Sequence, residues 1–187
     1  MIPLNTFTPT PIVSAFQAPY NEQYFPLSQN VLGGVAIGNP ALGRQVKVWN
    51  VSYNGAFINV KPIDGPVAFS LAAAPVTSVS LAFDNNMGLA IAWTTGTGAN
   101  LYYFDTLTTQ YITRNFPGIS SCRVCVDDAR DFYLAQSDVI FSYTLAGSLY
   151  WRQQRDRYDN QYLIGATTKT LIRAALNVGN RLQFELV

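Results

Sequence analysis

"SLAFDNNMGLAIAW" (80–93) and "RVCVDDARDFYLAQ" (123–136) decide how the chain reads, because one lies over the other 43 residues further on. Phe83 meets Val126, Asp84 meets Asp127 and Ile91 meets Leu134. In both stretches an apolar segment runs to an Asp-containing turn and resumes after it, as two antiparallel strands do. A second pair follows: "LYYFDTLTTQYITR" (101–114) lies over "VIFSYTLAGSLYWR" (139–152), which brings Thr106-Leu107 onto Thr144-Leu145 and Arg114 onto Arg152. This second offset is 38, and a five-residue length difference near "TTGTGAN" (94–100) reconciles the two.

Each unit then reads as four short antiparallel strands in about 40 residues, the size and order of a β-propeller blade. A partial third copy, "LIRAALNVGNRLQFELV" (171–187), puts Leu176-Asn177 in the place of Phe83-Asp84 and Leu182 in that of Leu89. Upstream, "RQVKVWNVSYNGAFINVKP" (44–62) reads as a hairpin, with Val46, Val48 and Asn50 on one side, the turn at "YNG", and Phe57 and Val60 resuming. "VAFSLA" (67–72) is a further strand. No segment sustains a helical period, so the expected class is all-β: antiparallel, propeller-blade-like four-stranded repeats behind an extended N-terminal arm. The expected divisions are an arm over 1–42, a hairpin or sandwich portion over 43–75, and 76–187 holding units at about 79–118 and 122–160 plus the partial third. Two and a half blades do not close a ring. Completion is expected either from the 46–60 hairpin or from neighbouring copies of the chain.

The arm has prolines at 3, 9, 11, 19 and 26, which exclude a long helix and favour extended backbone. It also carries Phe7, Phe16, Tyr20, Tyr24 and Phe25, too many aromatics for a solvated tail. Those five are the expected assembly contacts. Charged residues make up 12% of the chain, against a typical ~25%, so little of its surface is designed to face water. A formal charge of +1 offers no field to gather phosphates, and nucleic acid is not an expected partner. No apolar run reaches the ~20 residues of a membrane span, and no basic-then-apolar leader opens the sequence. The expectation is synthesis in the cytoplasm without membrane insertion.

The 187 residues include no histidine, which removes Ser-His-Asp and Cys-His chemistry and the commonest general base. No catalytic residue, cofactor or metal site is expected. Cys122 and Cys125 sit three apart in a predicted strand, on opposite faces, where a disulfide is geometrically poor. "VDDARD" (126–131) lacks the spacing and glycine of a calcium loop, and "TTGTGAN" lacks the Lys of a phosphate cradle and opens no helix. "YWRQQRDRY" (150–158) is the most charged stretch. Alternation puts Tyr150, Arg152 and Gln154 on one face and Leu149, Trp151 and Gln153 on the other. The structural reading has Arg152 and its neighbours bridging units by hydrogen-bonding turn carboxylates such as Asp127, Asp128 or Asp131. The sharper reading is a ligand site, in which Tyr and Trp stack on a sugar while Arg and Asp hold its hydroxyls, with Tyr150, Trp151, Arg152 and Arg155 as the candidates.

The hairpin "VKVWNVSYNGAFINV" behind a Pro-rich arm resembles the small β-sandwich modules of tailed-bacteriophage virion proteins. "LYWRQQRDRYDNQYLIG" followed by "LIRAALNVGNRLQFELV" is similar to the C-terminal blades of phage tail and fibre-associated structural proteins. The resemblance implies a non-enzymatic virion component of the tail, baseplate or portal-proximal region. Such a component would be made in the host cytoplasm, form a homo-oligomer and contact other virion proteins. The alternative is a carbohydrate-binding, lectin-like module that oligomerises to complete a propeller and takes a host-surface glycan.

Overall fold

A computed structural model describes residues 33–37, 48–62, 65–73, 75–83, 88–126, 139–176 and 182–187. Its β-strands form four antiparallel sheets, each a meander in chain order. The first sheet holds β1 (Gly33–Ile37), β2 (Val48–Tyr53), β3 (Phe57–Pro62) and β4 (Phe69–Ala72). The second holds β5 (Ser78–Phe83), β6 (Leu89–Thr94), β7 (Gly98–Asp105) and β8 (Gln110–Pro117). The third holds β9 (Ser121–Val126), β10 (Val139–Leu145), β11 (Ser148–Gln153) and β12 (Tyr162–Ala166). The fourth is the hairpin of β13 (Leu171–Leu176) and β14 (Leu182–Leu186). The all-β expectation stands. The arm aromatics Phe7, Phe16, Tyr20, Tyr24 and Phe25 lie outside the described residues, and β1 falls within the segment expected as arm.

The turn at "YNG" closes as expected, with Gly55 at φ 98° and the Asn54 side chain accepting from the amides of Ala56 (3.1 Å) and Phe57 (2.8 Å). Val51, Ile58 and Val60 are buried with Trp49 and Tyr53 packed beside them, while Phe57 is exposed. Nor does this hairpin complete the two-stranded fourth sheet, since it pairs with β1 and β4 in a sheet of its own.

The repeat itself needs a correction. β10 pairs with β9, Phe141 facing Val124, so 139–145 is the second strand of its sheet and matches β6. The sequence overlay had laid it on β7. Residues 127–138, which separate the first strand from the second in sequence and include the strand expected within 130–136, fall outside the described residues. "TTGTGAN" is a tight turn, closed by Thr95 N–H donating to the Gly98 carbonyl at 2.7 Å. Residues 171–187, expected as a partial third copy, hold the two strands of the hairpin β13–β14.

The second sheet is buried on both faces at β5 and β6 and is mostly exposed at β8. Toward the first sheet it presents Val79, Leu81, Phe83, Ile91 and Trp93, with Trp49 against Phe83 at 5.4 Å between ring centroids. Toward the third it presents Ala82, Ala90, Ala92 and Ala99, the small residues that make room for Phe141, Tyr143 and Tyr158. Cys122 joins this core while Cys125 packs with Ala174, Leu182 and Phe184 on the opposite face; no disulfide joins them, and both are fully buried where half-burial was expected. Burial pushes the Cys122 thiol up to about 12.

The first strands lie side by side, β1 against β5, β5 against β9 and β9 against β13. Polar side chains join them: Val124 N–H donates to Ser80 Oγ at 2.9 Å and Leu171 N–H to Ser121 Oγ at 3.1 Å. Arg123, almost wholly buried on β9, donates through Nε to the Ile172 carbonyl (2.8 Å) and through a terminal nitrogen to Ser78 Oγ (3.4 Å). Burial lowers its pKa to about 10, which still leaves it cationic at neutral pH.

Gly98 permits the close pairing of β7 and β8, because a Cβ there would meet the Phe116 carbonyl oxygen at 2.6 Å and Pro117 Cα at 2.9 Å. Gly98→Ala is expected to cost about 1–3 kcal/mol, lowering Tm by roughly 2–12 °C. Gly96→Ala, with nothing within 4 Å, is the control. Equal melting of the two variants in calorimetry would show that the β7–β8 edge yields freely.

Candidate functional site

The residues of "YWRQQRDRY" leave β11, make one 3-10 turn (Gln154–Asp156) and then a reversal before β12. Arg157 and Tyr158 both adopt left-handed backbone, φ 59° and 61°. Neither is glycine, so each position costs about 1–2 kcal/mol. What holds them is Tyr158, whose side chain is wholly buried between the second and third sheets. Its ring meets Tyr103 edge-on at 4.7 Å and Phe141 at 6.4 Å. Burying one such ring contributes about 1.5–3 kcal/mol, and the edge-to-face contacts add to it.

Three arginines fix the loop around this ring. Arg152, on β11, donates through one terminal nitrogen to the carbonyls of Tyr158 (2.7 Å) and Asp159 (2.8 Å). Its other nitrogens reach Tyr143 OH (2.8 Å) and Gln161 Oε1 (3.1 Å). Arg114, on β8, donates to Asp159 Oδ1 (2.7 Å) and to the Arg157 carbonyl, which also accepts from Tyr103 OH (3.3 Å). Arg157 points back to the second sheet and forks onto Asp105, 3.0 Å to Oδ1 and 2.9 Å to Oδ2. Two guanidiniums lie over the Phe116 ring, that of Arg114 at 5.5 Å and that of Arg152 at 5.3 Å from its centroid.

Asp105 is the anion of this cluster. Its carboxylate is buried and also accepts from Thr108 Oγ1 (2.9 Å) and Leu107 N–H (3.2 Å). The Arg157 hydrogen bonds hold its pKa below the ordinary value, and the same pairing raises that of Arg157. Burial raises the Tyr143 phenol, with the Arg152 hydrogen bond pulling the other way.

Arg152 therefore serves its own sheet's loop, and its described partners are carbonyls, Gln161 and Tyr143. Asp127, Asp128 and Asp131, the carboxylates expected for it, lie outside the described residues. The second and third sheets are bridged by Arg114 and by Arg157, a neighbour of Arg152 whose fork takes the turn carboxylate Asp105. Tyr150 and Arg152 share the face of Tyr143, with Tyr150 stacked on Tyr143 at 5.9 Å. Trp151 is on the other face, stacked on Tyr162 at 4.6 Å, and Arg155 is exposed. The four residues expected to share a ligand site thus divide between two faces and a loop. Among the described residues no group of three acidic or sulfur side chains could hold a metal. Asp105 and Tyr103 were not singled out from the sequence. Asp105 stands in the turn "FDTLTT", where an aspartate reads as turn chemistry alone.

Arg152→Ala removes charge-assisted bonds that hold Tyr158 in place and is expected to cost about 1.5–3 kcal/mol. Thermal melting followed by near-ultraviolet dichroism would register both the loss and the loosened tyrosines; an unchanged melt would show that the loop holds itself. Asp105 sets a pH limit. Because its folded pKa is depressed, its contribution is present above the ordinary 3.8 and is lost as pH falls through the folded value. Asp105→Asn should melt earlier than the native chain at pH 7 and lose less stability between pH 4 and 2. Parallel acid limbs would remove Asp105 from the cluster that sets this limit. No family model, curated protein or solved structure matches this chain, so its function rests on the geometry above.

Proposed function

We propose that this chain is a non-enzymatic structural component of a tailed-phage virion, of the tail, baseplate or portal-proximal region, that joins neighbouring protein through its arm and its sheets. In this reading the sheets are blade-like units laid side by side, the first three of four strands and the fourth of two. The observation that carries it is the outermost strand of the third sheet, "YLIGA" (162–166), which has no charge and leaves Leu163 63% and Ile164 42% exposed. Such a strand is a site for protein contact. The ionic groups around Tyr158 favour the same reading. Arg114, Arg152, Arg157 and Asp105 are engaged in holding two sheets and a loop, an arrangement that serves stiffness. The low charge of the whole chain agrees with a surface covered by other protein.

A carbohydrate-binding module is the second reading, favoured by one feature, the half-exposed stack of Trp151 on Tyr162 at the outer part of the third sheet. Glycan binding that Trp151→Ala abolishes without changing Tm would select it over the virion reading.

The arm is tested by removing residues 1–32, a cut that leaves every described strand in place, β1 included. The shortened chain is expected to be more soluble and to assemble less at equal concentration, as read by light scattering. Equal solubility and equal mass distribution would overturn the arm's part in assembly.

A further inference from the structure

The outermost strands of the four sheets are not alike. β4 is four residues long between Pro66 and Pro75, β8 carries Arg114 and Pro117, and β14 carries Glu185. Short length, proline and charge each discourage pairing with a further strand. β12 has none of these. Its pairing with β11 also shifts at one step: Leu149 faces Gly165 and Tyr150 faces Leu163, so Ile164 is the extra residue. Leu163 and Ile164 are both turned to solvent there.

From these features we infer that β12 pairs antiparallel with β12 of a second copy of this chain, about a two-fold axis at Ile164. The sequence around the strand, "DNQYLIGATTK" (159–169), is arranged for that symmetry. In the register that sets Ile164 opposite itself, Tyr162 faces Ala166 and Leu163 faces Gly165. The large residues of one copy then lie beside the small ones of the other. At the two ends Asp159 faces Lys169, so each end brings together opposite charges. Both residues are exposed, the Asp159 side chain by 60% although Oδ1 accepts from Arg114. A bulged edge discourages a straight partner strand, but at a two-fold each bulge meets its own copy. The product is one eight-stranded sheet running through two chains. The inference deepens the assembly reading and rests on it, naming the partner as this chain itself and the contact as independent of the arm.

The test uses the full chain in sedimentation at tens of micromolar. The native chain is expected to be dimeric, and Lys169→Glu, which sets acid against Asp159 at both ends, to weaken the dimer roughly tenfold or more. Asp159→Lys alone should do the same. An equimolar mixture of the two variants should dimerise again, because each then supplies the charge that the other lacks. Ile164→Asp, which places like charges on the axis and does not touch the core, should dissociate the dimer even if Asp159→Lys disturbs the loop. A monomeric native chain, a dimer indifferent to Lys169→Glu and Ile164→Asp, or folded variants that stay apart on mixing would each overturn the inference. A dimer insensitive to these changes but lost on removal of residues 1–32 would leave the arm in place as the assembly element and exclude β12. A dimer that survives that removal but not Lys169→Glu would do the reverse.

Discussion

The packing of the second sheet against the third depends on one ring, that of Tyr158, being held inside. The backbone that carries it is left-handed at two consecutive positions that are not glycine, a conformation that local preference disfavours. Burial of the ring opposes that cost, and Arg152 opposes it further by binding the carbonyls that the reversal leaves turned away from any strand. Aromatic packing and carbonyl binding require each other here. Without the ring the carbonyls would have no fixed place, and without the guanidinium they would be polar groups beside an apolar core with no partner of matching strength.

The arginines are close together, yet their charges are distributed. Arg157 is neutralised by a part-buried fork on the buried Asp105 and Arg114 by a half-open contact with Asp159, while Arg152 is surrounded by carbonyl, amide and phenol oxygens. The flat guanidiniums can also lie against Phe116, which lysines could not do as well. A chain with so few charges thus uses several of them at one junction between sheets. The first strands are joined differently, by short hydroxyl bonds and by Arg123 reaching a carbonyl of β13. Sheets that share no backbone pairing are tied at the loop side by ion pairs and at the first-strand side by buried polar bonds.

Much of the fold was legible because strand pattern and turn chemistry are local. The Asn54-Gly55 turn, the opposite faces of Cys122 and Cys125, and the position of β13–β14 all follow from a two-residue period and from residues that tolerate positive φ. The slip of one strand in the repeat has the same origin. "LYYFD" and "VIFSYTL" are both aromatic, alternating and ended by a turn, so period alone does not say whether a strand is second or third in its sheet. Only the length of the 127–138 connection distinguishes them. The buried face of the first hairpin is not given by period either. Phe57 and Val60 are three apart and point to opposite sides, and the larger residue is the exposed one. The loop cluster was the least legible part, because Arg114, Asp105 and Arg157 are brought together from β8, the end of β7 and the β11–β12 connection. Nothing in their spacing records that meeting.

The division of residues between inside and edge gives the molecule its character. Each interior contact is specified by shape or by a directed polar group: alanines opposite aromatics, arginine forks opposite carboxylate and carbonyl, a glycine where two strands approach most closely. The edges carry far less information. Three are guarded by length, proline or charge, and the fourth, β12, is neutral and bulged. The exposed Leu163 and Ile164 stand outside the core clusters, so smaller polar residues there would take little from the interior. The proposed pairing with an identical strand running the other way rests on these two residues and on the order of charges around them.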